Sequence, residues 1–208
     1  MNELFATYAS LQAFSSEDQE HLTMIWRELM ANTPDTRAQK RFKLAQAEVL
    51  LAQNRFAETL EVLEEIFAAA PDALTLHALG LVARAAGNLD DARAWFRKEQ
   101  SFLPLFDAMA RADNAWELAQ LDLQQDRLVS AIAWLRTCLL QARFAADTSR
   151  EARVRRLLGD LSLRRGRLDL AQDHYEAARA ACLKAGDERG LRALNTVLAG
   201  LPQELAGA

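Results

Sequence analysis

The chain has 208 residues, half of them hydrophobic, with 25 Lys and Arg against 29 Asp and Glu and a formal charge of −4. It is long enough to bury a sizeable core, and its mildly acidic balance argues against bulk binding to nucleic acid or to an anionic membrane. No apolar run approaches the roughly 20 residues of a membrane span, and the two cysteines, Cys138 and Cys182, form no CxxC.

Local signals then mark one helix after another. The start, Met1-Asn2-Glu3-Leu4-Phe5, lacks the basic segment and long apolar core of a signal peptide. With two cysteines that read as small buried apolar residues, a reduced, cytoplasmic location is expected. Helices are expected near 3–14 and 16–31, the second opened by a Ser16/Gln19 capping box, and at 34–52 after the Thr33-Pro34 start signal. They continue at 55–69, at 73–86 after Pro71 and the cap Asp72, and at 89–101, 106–125 and 128–145. A Thr148/Glu151 capping box opens 149–165, then come 168–185 and, after Gly186 and Asp187, 188–199. No β-branched run alternates with period two, so the fold class is all-α: five antiparallel pairs and a terminal helix.

The helix breakers fall at repeated phase. Gly80, Gly87, Ala92, Phe96 and Pro104 have counterparts in Gly159, Gly166, Ala171 and Tyr175. Pro34, Pro71 and Pro104 recur with a period of roughly 34 residues, the length of a helix–turn–helix repeat. Residues 76–104 read Leu76-x₂-Leu79-Gly80-x₂-Ala83, Gly87-x-Leu89-x₂-Ala92-x₃-Phe96, then Pro104. Fainter copies run through Ala47, Asn54, Phe56, Thr59, Leu63 and Pro71, and through Leu118-Ala119, Asp126, Leu128, Ala131 and Leu135. A degenerate first pair is held by Ser10, Leu22, Trp26, Leu29 and Pro34. Small residues such as Gly80 and Ala92 let paired helices cross closely, and Phe96 and Tyr175 are expected to fill the space between one pair and the next.

This pattern resembles the tetratricopeptide repeat, with Leu76 and Ala83 standing where Trp and Tyr are usual. The resemblance implies one domain over 1–208, a right-handed superhelix with repeats near 3–36, 40–72, 73–105, 112–147 and 152–187 and a capping helix at 188–199. Spacing along it is uneven: the steps from Gly80 to Ala119 and from Ala119 to Gly159 are both longer than the step from Ala47 to Gly80. The longer repeats, ending in Ala185-Gly186-Asp187, look like variants found in bacterial signalling and regulatory proteins.

Chemistry for catalysis, cofactors or metals is missing from the motifs. His21, His77 and His174 make no HxxxH, and neither a phosphate loop nor a nucleophile elbow occurs. A non-enzymatic interaction protein without cofactors is therefore expected, with a protein or peptide partner rather than nucleic acid or membrane.

The resemblance also implies that first helices line a concave groove. Groove residues would then be Arg41, Leu44, Glu48 and Leu51, then His77, Leu81 and Arg84, then Trp116, Glu117, Gln120 and Leu123, and last Arg153, Arg156, Asp160 and Arg164. Trp116 reads equally as a binding anchor or as packing against the stretch 105–109. Arg153, Arg156 and Arg164 suit an acidic peptide or chain terminus, or simply pair with Asp160 on a solvated face. One version of the fold clamps C-terminal carboxylates with two Lys, two Asn and an Arg. The matching sites here, Leu44/Glu48, His77/Leu81 and Trp116/Gln120, lack the asparagines, which disfavours that role. The alternatives are a sensor of a small ligand or signalling peptide, and self-assembly through Leu191, Leu194, Val197 and Leu198 of the last helix.

Overall fold

The computed structural model describes residues 36–201. The helices expected at 3–14 and 16–31, the Ser16 and Thr33 start signals and the repeat near 3–36 lie outside the described residues. Nine helices and no strand occur among those described: α1 (Thr36–Ala52), α2 (Phe56–Ala69), α3 (Ala73–Ala85), α4 (Leu89–Gln100), α5 (Ala108–Gln124), α6 (Leu128–Phe144), α7 (Thr148–Arg164), α8 (Leu168–Ala185) and α9 (Glu188–Ala199). The expected boundaries agree to within two residues. The first long spacing combines the longer connection 101–107 with the 17-residue α5, and the second comes from α6 and α7, also 17 residues each against 13 in α3 and 12 in α4.

The described residues fall into two compact units that divide between Phe102 and Leu103. In the first, α1 packs on α2, α2 on α3 and α3 on α4, around Leu50, Leu63, Ile66, Leu76 and Leu79. In the second, α5 packs on α6, α6 on α7 and α7 on α8. Its cores gather Leu135, Cys138, Val154, Leu158 and Leu161 in one cluster and Ala171, Tyr175 and Ala178 in the next. Leu191, Leu194, Val197 and Leu198 of α9 cover the end of α8 within the chain. No described helix is long and apolar enough to cross a membrane.

First helices and second helices begin differently. Asp72, Asp107, Asp147 and Asp187 each accept a hydrogen bond from the backbone amide three residues on, closing the starts of α3, α5, α7 and α9 at 2.7–3.0 Å. No side chain caps α2, α4, α6 or α8. The Thr148/Glu151 capping box is thus corrected: Asp147 is the cap, and Glu151 instead bonds Arg143 and Arg155.

The small residues work within pairs. A methyl group on Gly80 would stand 2.5 Å from the Phe96 ring, and one on Gly159 would stand 2.7 Å from the Tyr175 ring. The aromatics therefore lie across the glycines of their own pair, and Tyr175 also shares a core cluster with Leu194 of the following helix. Gly87 and Gly166 turn the chain at φ +83° and +69°, while Asn54 and Asp126 hold the equivalent left-handed positions at 57° and 53°.

Candidate functional site

One repeat position decides which side chains are free to bind. Three residues before the small residue of each first helix stand Leu44, His77, Trp116 and Arg156; the facing position of the second helix carries Ile66, Glu99, Cys138 and Ala178. Three of these facing residues are apolar. The fourth, Glu99, is 3 % exposed, and a carboxylate placed there needs a polar partner. His77 supplies it: Nδ1 lies 3.0 and 3.1 Å from the two Glu99 oxygens, with the Phe96 ring edge-on at 5.5 Å. At 5 % exposure His77 is a wall of the pair, and its place among groove-facing residues is corrected. A glutamate at an otherwise apolar repeat position was the signal for this in the sequence.

The other candidates of the first unit are dispersed in environment. Arg41 is exposed, Leu81 and Arg84 are half-buried, and Leu44 and Leu51 pack on the core. Glu48 is half-buried, and that burial pushes its carboxyl above the usual range. The neighbouring lysines are engaged, Lys40 with Asp72 and Lys43 with Glu65 at 2.8 Å.

In the second unit α5 and α7 lie side by side in a common register. Asp113 meets Arg150 at 2.6 Å, the Arg153 guanidinium sits 5.8 Å from the centre of the Trp116 ring, and Asp126 meets Arg164 at 3.6 Å. The first two pairs share the same offset in sequence and the third differs from it by a single position, so one register joins all three. Trp116 is half-buried against the core cluster of Leu135, Cys138 and Val154. It does not depend on the stretch 105–109 for cover, since Leu105 and Phe106 are 79 % and 98 % exposed.

The arginines of α7 divide by partner. Arg150 is held by Asp113, by Asp147 at 3.3 Å and by the Met109 carbonyl at 3.4 Å. Arg155 is held by Glu151 at 3.0 Å, and Arg164 by the exposed Asp126. Asp160 accepts the Tyr175 hydroxyl at 2.7 Å and makes no ion pair with its helix neighbours among the described residues. Burial, together with that carboxylate, pushes the phenol's pKa up. Arg153 and Arg156 remain exposed and make no ion pair among the described residues. Arg153 thus meets Trp116, Arg156 stands exposed three residues further along α7, and Glu117 and Gln120 are half-buried on α5.

A further group went unnoticed in the sequence. Asp122, fully buried, accepts from Arg127 Nε at 3.0 Å and from the Ser130 hydroxyl, tying the end of α5 to the start of α6. Among the described residues no group of three or more His, Cys, Asp or Glu is placed to hold a metal ion.

Comparison with known proteins agrees with the helical-repeat fold. Residues 41–65, 73–98 and 152–177 match the family model described as tetratricopeptide repeat. No curated protein sequence matches the chain. Among solved structures, BtubC (BKLC) from P. vanneervenii is similar over 99 % of this chain and 96 % of that one, with a TM-score of 0.63 and 17 % identity. The MamA protein is similar over 77 % of this chain and 81 % of its own, with a TM-score of 0.58 and 18 % identity. At these identities the likeness is one of fold.

Proposed function

We propose that this chain, which carries tetratricopeptide repeats in an all-α helical repeat fold, is a non-enzymatic scaffold that binds an acidic peptide segment of a partner protein on the first-helix face of its second unit. The family supports protein interaction as the mode of action. The observation that carries the location is the division of the arginines: Arg150, Arg155 and Arg164 are neutralised, whereas Arg153 rests on Trp116 and, like Arg156, has no carboxylate partner among the described residues.

Arginine forks suit carboxylates, and an indole half-sunk in the core offers a rigid contact surface of the kind that dominates binding energy. Both sit on helices already ordered by the core, so little binding energy is spent on fixing them. The test is an array of Asp- and Glu-rich peptides together with a crosslinked pull-down from the native cell. Trp116→Ala with Arg156→Glu is expected to abolish capture while leaving helicity unchanged, because neither side chain closes a hydrogen-bonded network. A residual affinity within about twofold of the parent, where loss of a hot-spot tryptophan alone should cost at least about thirtyfold, would overturn the site.

A further inference from the structure

A second basic site shares no residue with the Trp116 face. Between α6, α7 and α8 lies a small cleft lined by Ile132, Leu158, Ser162 and Leu170 together with Arg136, Arg165, Arg167 and His174. None of the three guanidiniums has a carboxylate partner among the described residues. This sets them apart from Arg127, Arg143, Arg150 and Arg155, which each meet an acid at 3.0 Å or closer. All three are exposed, so their guanidiniums are free to turn onto a bound anion, which their common positive charge attracts. Burial, then the charges of Arg155 and Arg136, hold the His174 pKa below its ordinary value, with Asp173 pulling the other way.

Size and charge narrow the ligand. The cleft is small, about 30 Å³ and partly open to solvent, so it seats a compact charged group at its mouth rather than an extended ligand. A carboxylate would leave most of the positive charge uncompensated, whereas a phosphate dianion presents three oxygens to three forked donors.

We propose that this cleft binds a phosphate group, with Arg136, Arg165 and Arg167 donating to its oxygens and His174 beside it. The site is independent of the peptide-binding reading above, and a Trp116→Ala variant should bind phosphate as the parent does.

The experiment is an NMR titration of the full chain with inorganic phosphate, following the arginine Nε–H resonances and the His174 ring, against sodium chloride at matched ionic strength. Saturable shifts confined to these four residues are expected, with the His174 pKa rising as phosphate binds because a neighbouring dianion favours the imidazolium form. Arg136→Gln/Arg165→Gln/Arg167→Gln should weaken binding at least about tenfold with helicity intact, since several charge-assisted hydrogen bonds are lost. A phosphoserine peptide run in parallel separates the sources. Tighter binding than free phosphate at the same residues assigns a phosphorylated side chain, and equal or weaker binding assigns the free ion or a small phosphorylated ligand. Shifts reproduced by chloride, or unchanged in the triple variant, would overturn the proposal.

Discussion

The step in sequence from Gly80 to Phe96 is also the step from Gly159 to Tyr175, from Ala47 to Leu63 and from Ala119 to Leu135. The pairs obey one volume rule: a glycine in the first helix faces an aromatic ring in the second, and an alanine faces a leucine. The contact is already tight, with the Gly80 position 2.5 Å from a Phe96 carbon once a methyl is added. Gly80→Ala is therefore expected to cost about 1–3 kcal/mol by overpacking. Adding Phe96→Leu should recover part of that loss, because it recreates the Ala119–Leu135 combination. Urea midpoints of the four species in the double-mutant cycle read the coupling directly, and additive effects would contradict the rule. Cys138 illustrates the opposite case, a residue whose chemistry is silenced by its place: burial pushes its thiol up to about 11, so it serves as core volume.

At the scale of the element, each helix is set by its ends. The aspartate caps Asp72, Asp107, Asp147 and Asp187 recur once per repeat at the starts of α3, α5, α7 and α9, which makes them a clearer register mark than the glycines. Glu151, in the first turn of α7, ties that helix to the last turn of α6 through Arg143 at 2.9 Å and to its own second turn through Arg155. Burial alone would raise its pKa, but the hydrogen bonds from Arg155 and Arg143 outweigh it and hold the carboxyl below the usual range. A depressed folded-state pKa adds stability above the unfolded value, near about 4.3, and loses it as pH falls through the folded value. Glu151→Gln should accordingly lower Tm at neutral pH, with the gap from the parent closing toward pH ~3. Thermal melts across that range check the sign; a gap that persists in acid would assign the loss to packing.

At the scale of the whole molecule, the two compact units meet in sequence at residues 102 and 103. The segment that follows, 101–107, is short of helix and carries Leu105 and Phe106 almost wholly in solvent. Exposed segments of this kind are where proteases cut first. Among the described residues, brief chymotrypsin treatment is expected to cleave first after Leu105 or Phe106, as mass spectrometry of the fragments would show. First cleavage inside α3 or α7 would contradict the division into units. The formal charge divides unevenly too: residues 1–72 hold 6 basic against 12 acidic side chains, and residues 73–208 hold 19 against 17. An acidic ligand is thereby steered toward the C-terminal part of the chain.

What the sequence determined by itself was the helices, their turns and the repeat they compose. Those signals are local: a cap acts over three residues, a left-handed turn over one, and an apolar stripe over a few helical turns. Asn54, Gly87, Asp126 and Gly166 could be placed at turns for that reason, and Asp72 and Asp187 at helix starts. Only the tertiary structure decided which side chains of a first helix remain available. Arg150 and Arg153 look alike along α7, yet one ends in a cage of two carboxylates and the other on the face of Trp116, through contacts to α5 a whole repeat away in sequence. His77 and Trp116 share a repeat position, yet Glu99 draws the first into the core while Cys138 leaves the second half in solvent. Such partners are fixed by how one pair of helices stacks on the next, and stacking register is a property of the packed core that no local window of sequence contains.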